Sequence, residues 1–516
     1  MKRIYISIVL ALAATAATAQ TTTDESTNSY LDRVALWSNQ TNAAGLARDT
    51  MTDRGVSRIS FTHSEGSHHR VQEGNRTNRL DFFTERYQKI SPLLYGYGSF
   101  HFDNGREFNR SWSDIMRPYN SNPYYTGSAI SGNYEFQNFR FTAALATRPI
   151  GRLTYGARLD YAVGDLSRLR DPRSRSQLAD YRIAPSITYQ AGSSTLGLAA
   201  HYRRRKEKIP GVAMVQSDAG MVYYFLTGLE HANGIIGGQS SYTRQFTNYE
   251  FGGQLSWASR AHRYHQITTF RLSSARENVL GANKYSPGMT HTKTLGLGTR
   301  HRIYTPGRLH TIDFDIDYLA LTADQYRQER VTTTDSTTGI SSTSWNTQIE
   351  YKERYRVETL DARLAYRLVW ADHAAAREKA HAGITATYSF VQNEYRLPSS
   401  TFRHANLSLT ALGAYRIALA PHRTLRLDAT AGWHKSLSTK LHLSDPTTAL
   451  ATAVLLPDYA YYTTSHTRGT LKATYEFPLR LRNLHRHWFV TTTLDHLRTT
   501  THRHTTAVTI GVGLYH

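Results

Sequence analysis

From about residue 92 to the C-terminus, apolar and polar residues alternate with a period of two, and helix-period stripes are almost absent. Successive side chains of a strand point to opposite faces, so this alternation describes strands with one apolar and one polar face. In "GRLTYGARLDYAV", Leu153, Tyr155, Ala157, Leu159, Tyr161 and Val163 share one face, while Arg152, Thr154, Arg158 and Asp160 share the other. In "LDARLAYRLVW", Leu364, Tyr366, Leu368 and Trp370 oppose Asp361, Arg363 and Arg367. Two further stretches split the same way, with Arg416 in the first and Arg426 and Asp428 in the second on the polar parity.

A soluble sandwich also alternates, so the connections have to discriminate. Short breaks occur at 148–151, 191–194, 259–262, 304–308 and 420–423, and longer polar stretches at 104–127, 164–179, 206–238, 326–344 and 439–460. Alternating short and long connections are those of a transmembrane antiparallel β-barrel, with turns on one side of the membrane and loops on the other. Strands are predicted to start near residues 54, 78, 92, 128, 151, 180, 194, 239, 262, 290, 307, 345, 379, 402, 422, 461, 486 and 502. The expectation is an all-β barrel of 16–18 strands with short periplasmic turns and long extracellular loops.

Lys2 and Arg3 precede the apolar run "IYISIVLALAATAA" and a small-residue end at Ala17-Thr18-Ala19, the pattern of a secretory signal peptide over 1–19. The chain has no cysteine, which removes acylation through cysteine and any disulfide framework. Past the leader no apolar run is long enough for a transmembrane helix. A formal net charge of +21 resembles that of a nucleic-acid binder. Export argues against that partner and favours anionic lipid headgroups, including lipopolysaccharide, or anionic solutes. Tyrosines number 34 against 18 phenylalanines, which suits surfaces apolar at one end and wet at the other.

Arginine on a lipid face near the midplane costs about 2 to 4 kcal/mol, so the polar-parity arginines are expected to face the lumen. The lumen candidates are Arg158, Asp160, Asp313, Asp315, Asp317, Arg363, Arg367, Arg416, Arg426 and Asp428, forming either a lattice of ion pairs or a lining that selects solutes. Three aspartates at 313, 315 and 317 could meet a hard cation, but same-face residues stand roughly 7 Å apart on a strand. His496 and His504 become cross-strand neighbours if the last turn centres on Thr500. No metal and no cofactor are expected. No nucleophile elbow, H-E-x-x-H helix or phosphate loop is present, so an enzyme is not expected.

In the loops, "RSWSDIMRPYNSNPYYTG" holds Trp112, Tyr119, Tyr124 and Tyr125 between prolines, a binding surface or a lid over the mouth. The stretch 329–344 is read as a mobile polar loop. The region 20–53 does not fit the strand pattern and is read as an N-terminal extension or plug, with 54–516 as the barrel. Within it, "LWSNQTNAAGLA" resembles the Asn-x-Ala-Gly-Leu segment of the long-chain fatty-acid channel superfamily, in which that segment forms a hatch inside the barrel. Here Ala43 stands where those channels have proline. The chain as a whole also resembles an uncharacterised Bacteroidetes family of outer-membrane β-barrels, which implies a location and no established activity. The expected role is a channel or transporter for a small solute in the cell outer membrane. The alternatives are a non-conducting accessory subunit beside another outer-membrane protein, such as an uptake receptor or secretion complex, and a barrel-embedded enzyme.

Overall fold

A computed structural model describes residues 24–38, 40–49, 53–214, 221–236, 243–481 and 484–516. The predicted leader lies outside the described residues. Eighteen antiparallel strands close into one barrel: β1 Arg54–Gly66, β2 Arg76–Ser91, β3 Leu94–Arg110, β4 Gly132–Thr147, β5 Leu153–Arg168 and β6 Arg173–Ala191. They continue as β7 Ser194–Ile209, β8 Arg244–Ala261, β9 Tyr264–Leu280, β10 Gly288–Thr305, β11 Arg308–Thr334 and β12 Ser341–Asp372. The last six are β13 Arg377–Tyr395, β14 Ser400–Ala420, β15 Arg423–His442, β16 His466–Leu481, β17 Leu484–Thr499 and β18 His504–Tyr515. Closure is made by β1 on β18, with Ile59 opposite Val512 and Phe61 opposite Ile510.

The period-two pattern positions every wall residue. Exposed Phe61, Leu159, Leu255, Leu295, Leu364, Tyr415, Leu471 and Ile510 all point outward, spread over eight strands around the circumference. An apolar belt that encircles the molecule has no stable setting in water, and a closed barrel leaves no sheet edge to solvate, so the wall meets both demands of a bilayer. The protein is therefore an integral β-barrel of the cell outer membrane. Among the described residues no helix is long and apolar enough to cross a membrane, so the strands alone span it.

Two-residue turns on the short side place Gly192 (φ +58°) and Gly307 (φ +69°) in the left-handed region, which L side chains resist. The first described residues, from Asp24, and the C-terminal residue His516 lie on that side. On the other side the connections contain more strand than expected, most of all in two places. Residues 164–179 are strand except for 169–172, and 326–344 are strand except at the tip, 335–340. The second is a two-stranded ribbon extending β11 and β12 beyond their neighbours, which pair no further than Gln325 and Tyr355. Its β-branched composition favours strand. Hydroxyl pairs Thr333–Ser342 (3.0 Å) and Thr334–Ser341 (2.8 Å) knit it across, so it is not a loop.

Candidate functional site

The candidate site is the lumen, which is occupied at both ends by segments that are not part of the wall. At the turn end lie helix α1, Glu25–Val34, and a 3-10 turn, Ala43–Arg48. Asp24 caps α1 by accepting from the Thr27 amide at 2.8 Å. The Glu25 carboxylate is gripped by the guanidinium groups of both Arg416 and Arg426. Arg426 also pairs with Asp428 at 2.8 Å, and Arg416 reaches Glu476 at 3.5 Å. Further along, Asp32 pairs with Arg54 (2.7 Å) and Arg33 with Glu378 (3.4 Å), while Asp49 receives Arg260 at 3.1 Å and the Trp37 amide at 2.8 Å.

The segment around Trp37 and Ala44 approaches the wall closely at two glycines. Gly156 and Gly197 face the lumen, and a Cβ on Gly156 would come within 2.3 Å of the Ala44 amide nitrogen. A Cβ on Gly197 would meet Trp37 and Asn42. Ala44 N–H donates to Ser186 Oγ at 3.0 Å, and Leu36 and Trp37 are buried against Ala258 and Ile267. An isolated glycine in a strand marks a close backbone approach, a signal present in "LTYGAR" and "STLGLA" that parity reading alone passes over.

The lumen candidates sort by what they hold. Arg158 pairs with Asp160 (2.8 Å) and donates to the Gln40 carbonyl (3.1 Å); Arg182 shares Asp160 at 2.7 Å. Asp313 binds Arg302, whose guanidinium also caps the Arg33 carbonyl. Asp317 pairs with Arg271 at 2.9 Å. Asp315 lies opposite Arg363 across the β11–β12 register, and Arg367 feels the charges of Arg33, Glu378 and Asp313. The structure thus brings Arg158, Asp313, Arg367, Arg416, Arg426 and Asp428 to the plug and leaves Asp315, Asp317 and Arg363 above it. His496 and His504 stack with ring centroids 6.3 Å apart. Among the described residues no group of three or more His, Asp or Glu is arranged to hold a metal.

The other mouth is covered by a lid. A small sheet of Thr126–Ser128, Val222–Gly228 and His231–Ile236 packs with α2, Leu456–Thr463, over inward residues of the upper wall such as Phe246, Val279, Val357 and Phe402. Trp112 and Tyr124 are buried, not displayed: Trp112 stacks near Tyr224 (4.6 Å) and Tyr124 donates to the Asp324 carbonyl (2.7 Å). Tyr125 accepts from Gln72 at 2.7 Å, and Tyr119 lies under the Arg70 guanidinium, 3.6 Å from its ring centre. These four aromatics build the lid's interior. The loop carrying them is pinned to the wall by Asp114, which accepts from Tyr134 (2.7 Å), and by Glu207, which accepts from the Met116 amide (2.8 Å); Asp114 also accepts from Tyr223 of the lid sheet (2.6 Å). At the hairpin tip, buried Glu230 accepts from Ser400 and from the Ser444 hydroxyl (2.7 Å), latching the lid to the start of β14 and to the loop after β15. His231 faces Glu230 at 3.6 Å, so both serine hydroxyls serve the carboxylate and neither serves the histidine.

Between plug and lid a cavity of about 270 Å³ is lined by Glu107, Arg110, Met116, Arg117, Arg140 and Asp180. A second, also about 270 Å³, lies beside α1 and is lined in part by Asp32, Arg58, Glu85, Arg426 and Lys472. Both are lined by charged side chains of either sign.

The lid helix carries opposed titrations. Burial pushes the Asp458 carboxyl up to about 6 despite a 3.0 Å bond from the Val71 amide. Burial and neighbouring cations hold His68, stacked on Tyr461, down to about 4. An acid whose folded pKa is raised stabilises the fold fully below its ordinary 3.8, and that contribution is lost as pH rises through 6. His68 works oppositely: its contribution is present above 6.5 and lost as pH falls through 4. Asp458→Asn removes the first effect alone, worth on the order of 2–3 kcal/mol. Hydrogen exchange at the Val71 amide, corrected for intrinsic rate, should be roughly 30- to 100-fold slower in the variant at pH 7.5 and equal in both proteins near pH 4.

A model of the family DUF6850, described as a family of unknown function, matches residues 43–516, from the Ala43 of the plug to the last residue. The chain belongs to DUF6850. No curated protein matches it in sequence. Among solved structures it is similar to the FrpB iron transporter from Neisseria meningitidis, at 10% identity and a TM-score of 0.39 over 92% of this chain and 83% of that one. It is also similar to the ferric yersiniabactin uptake receptor FyuA from Yersinia pestis, at 8% identity and 0.40 over 89% and 79%. The outer membrane transporter YddB from Escherichia coli gives 9% identity and 0.40 over 89% and 80%. The comparisons lend no support to the likeness with fatty-acid channels. Closure and strand number in this DUF6850 member rest on the register given above.

Proposed function

We propose that the protein is a gated outer-membrane transporter for a small polar solute, closed in the conformation described. The observation that carries this reading is that both obstructions are segments outside the eighteen wall strands, seated on the inner wall by apolar packing together with ion pairs and hydrogen bonds. An eighteen-stranded wall encloses enough room for an aqueous channel once they move. Most of the plug's ion pairs have a buried member, and removing one partner of such a pair costs about 3–5 kcal/mol, so the closed position is firmly held. The buried Leu36 and Trp37 add about 1.5–3 kcal/mol each and set the direction of the resting equilibrium.

The test is solute release from proteoliposomes. Vesicles carrying a chain without residues 24–49, and with 111–128, 221–236 and 444–463 each replaced by a short turn, should lose trapped small solutes within seconds to minutes, while vesicles carrying the full chain retain them. Retention by both would replace the transporter with the accessory-subunit reading.

A further inference from the structure

The outward rows of β7 to β10 carry cations that the lumen lattice does not use. Register aligns Arg204 with Tyr249, Tyr249 with Arg276, and Arg276 with His291, one continuous row across four strands. In the next row toward the lid, Lys206 lies opposite Thr247. In the next row toward the turns, Tyr202 opposes Phe251, Phe251 opposes Ser274, and Ser274 opposes Lys293. Neighbouring strands lie about 4.8 Å apart and same-face residues about 7 Å apart, so Arg204 and Arg276 stand roughly 10 Å from each other, with Lys206 and Lys293 one row away.

Among the described residues none of these four cations has a carboxylate partner; Arg204 lies 5.7 Å from the Tyr249 ring centre and Arg276 donates to Asn278 at 3.3 Å. Two other outward arginines carry carboxylates, Arg175 with Asp165 at 2.6 Å and Arg106 with Glu135, whereas Arg403 on β14 stands over the Phe390 ring. Directly beneath the patch the apolar belt begins, with Leu272 opposite Leu295, then Leu198 opposite Leu255 and Phe270 opposite Leu297, all exposed. The aromatic pair Tyr202–Phe251, with ring centres 5.0 Å apart, sits at the boundary, where amphipathic rings mark the membrane–water interface.

We propose that this patch holds a phosphorylated lipid of the outer leaflet. Its phosphate groups lie among Arg204, Lys206, Arg276 and Lys293, where guanidinium and ammonium groups give charge-assisted hydrogen bonds. Its acyl chains run down the leucines beneath. A free anion would use only the upper half of this surface, whereas an amphiphile matches both its charge and its apolar continuation.

Native mass spectrometry of the detergent-purified full chain tests this, with a two-phosphate, multiply acylated glucosamine lipid as probe. Expected are retention of that lipid, at least tenfold weaker retention of its dephosphorylated form, and no displacement by equimolar inorganic phosphate. Arg204→Gln/Lys206→Gln/Arg276→Gln/Lys293→Gln should lower retention at least tenfold. The charge-keeping set Arg204→Lys/Lys206→Arg/Arg276→Lys/Lys293→Arg should preserve it. So should Arg403→Gln/Lys435→Gln/Lys440→Gln, which removes exposed cations from β14 and β15. Equal retention of both lipid forms, equal loss in the β14–β15 control, displacement by inorganic phosphate, or a co-purifying protein in place of lipid would each overturn the proposal. The comparison of the two lipids on the unaltered chain stands even if the fourfold variant does not fold.

Discussion

Gly156→Val should expel the N-terminal segment from the barrel while leaving the wall intact. The added Cβ would fall within 2.3 to 2.7 Å of backbone atoms of Ala43 and Ala44, and backbone cannot swing aside as a long side chain does. Docking of the whole segment depends on that approach, because Ala44 is also hydrogen-bonded to Ser186 and leads into Leu46, which is buried with Ala144 and Ala146. The expected result is at least a hundredfold faster hydrogen exchange at the Ala44 amide, with unchanged heat-modifiable migration of the barrel on denaturing gels. Gly197→Ala should act more weakly, since the atoms nearest its Cβ belong to the Trp37 ring and the Asn42 amide. Strong protection in both variants would show that the segment does not dock at this niche.

The second large effect separates the two faces of β12 within one stretch. Leu364 is exposed on the outward face, about 20 Å along the strand from the exposed Trp370 near the short turn, which places it deep in the bilayer. Leu364→Arg should therefore destabilise the inserted barrel by about 2 to 4 kcal/mol. Its neighbour Arg363 points into the lumen, exposed and opposite Asp315, and Arg363→Leu should change stability by less than about 1 kcal/mol. Urea unfolding in lipid vesicles reads both values; equal effects would mean that the parity of this strand has been assigned to the wrong faces.

The wall was legible because one physical rule governs every residue in it. Each strand must turn one face to lipid and the other to water, so alternation in "LDARLAYRLVW" already separated Leu364, Tyr366 and Trp370 from Arg363 and Arg367. Eighteen predicted starts correspond to the eighteen observed strands, the largest displacement being at β6, expected near 180 and found at Arg173. That error has the same origin as the misread loops at 164–179 and 326–344: a strand leaving the membrane loses its lipid face, and with it the alternation, while remaining paired.

The two closures were legible only as departures from the pattern. Residues 20–53 stood out as non-strand, yet their partners are single residues scattered over ten strands, among them Arg416, Arg426, Arg260 and Ser186. Chain order does not announce such contacts. The lid was harder still. Its helix falls in 439–460 and just beyond, where the short run of Leu456–Thr463 gives little periodicity, and Trp112 and Tyr124 look like a display surface until Asp114 and Glu207 are seen fastening their loop to the wall. Glu230 and Asp458 carry no local signature at all; their burial arises from the assembled mouth.

The occupation of the lumen by the N-terminal segment is tested most directly by a cross-link in native membranes. The chain contains no cysteine, so Ala44→Cys/Ser186→Cys introduces the single possible disulfide, between a plug residue and a wall residue already in hydrogen-bond contact. Mild oxidation of intact outer membranes should join the two positions in most molecules, detected as one disulfide-linked peptide by mass spectrometry, and adding Gly156→Val should abolish it. Free thiols at both positions after oxidation, reactive toward a water-soluble maleimide, would contradict a plugged barrel.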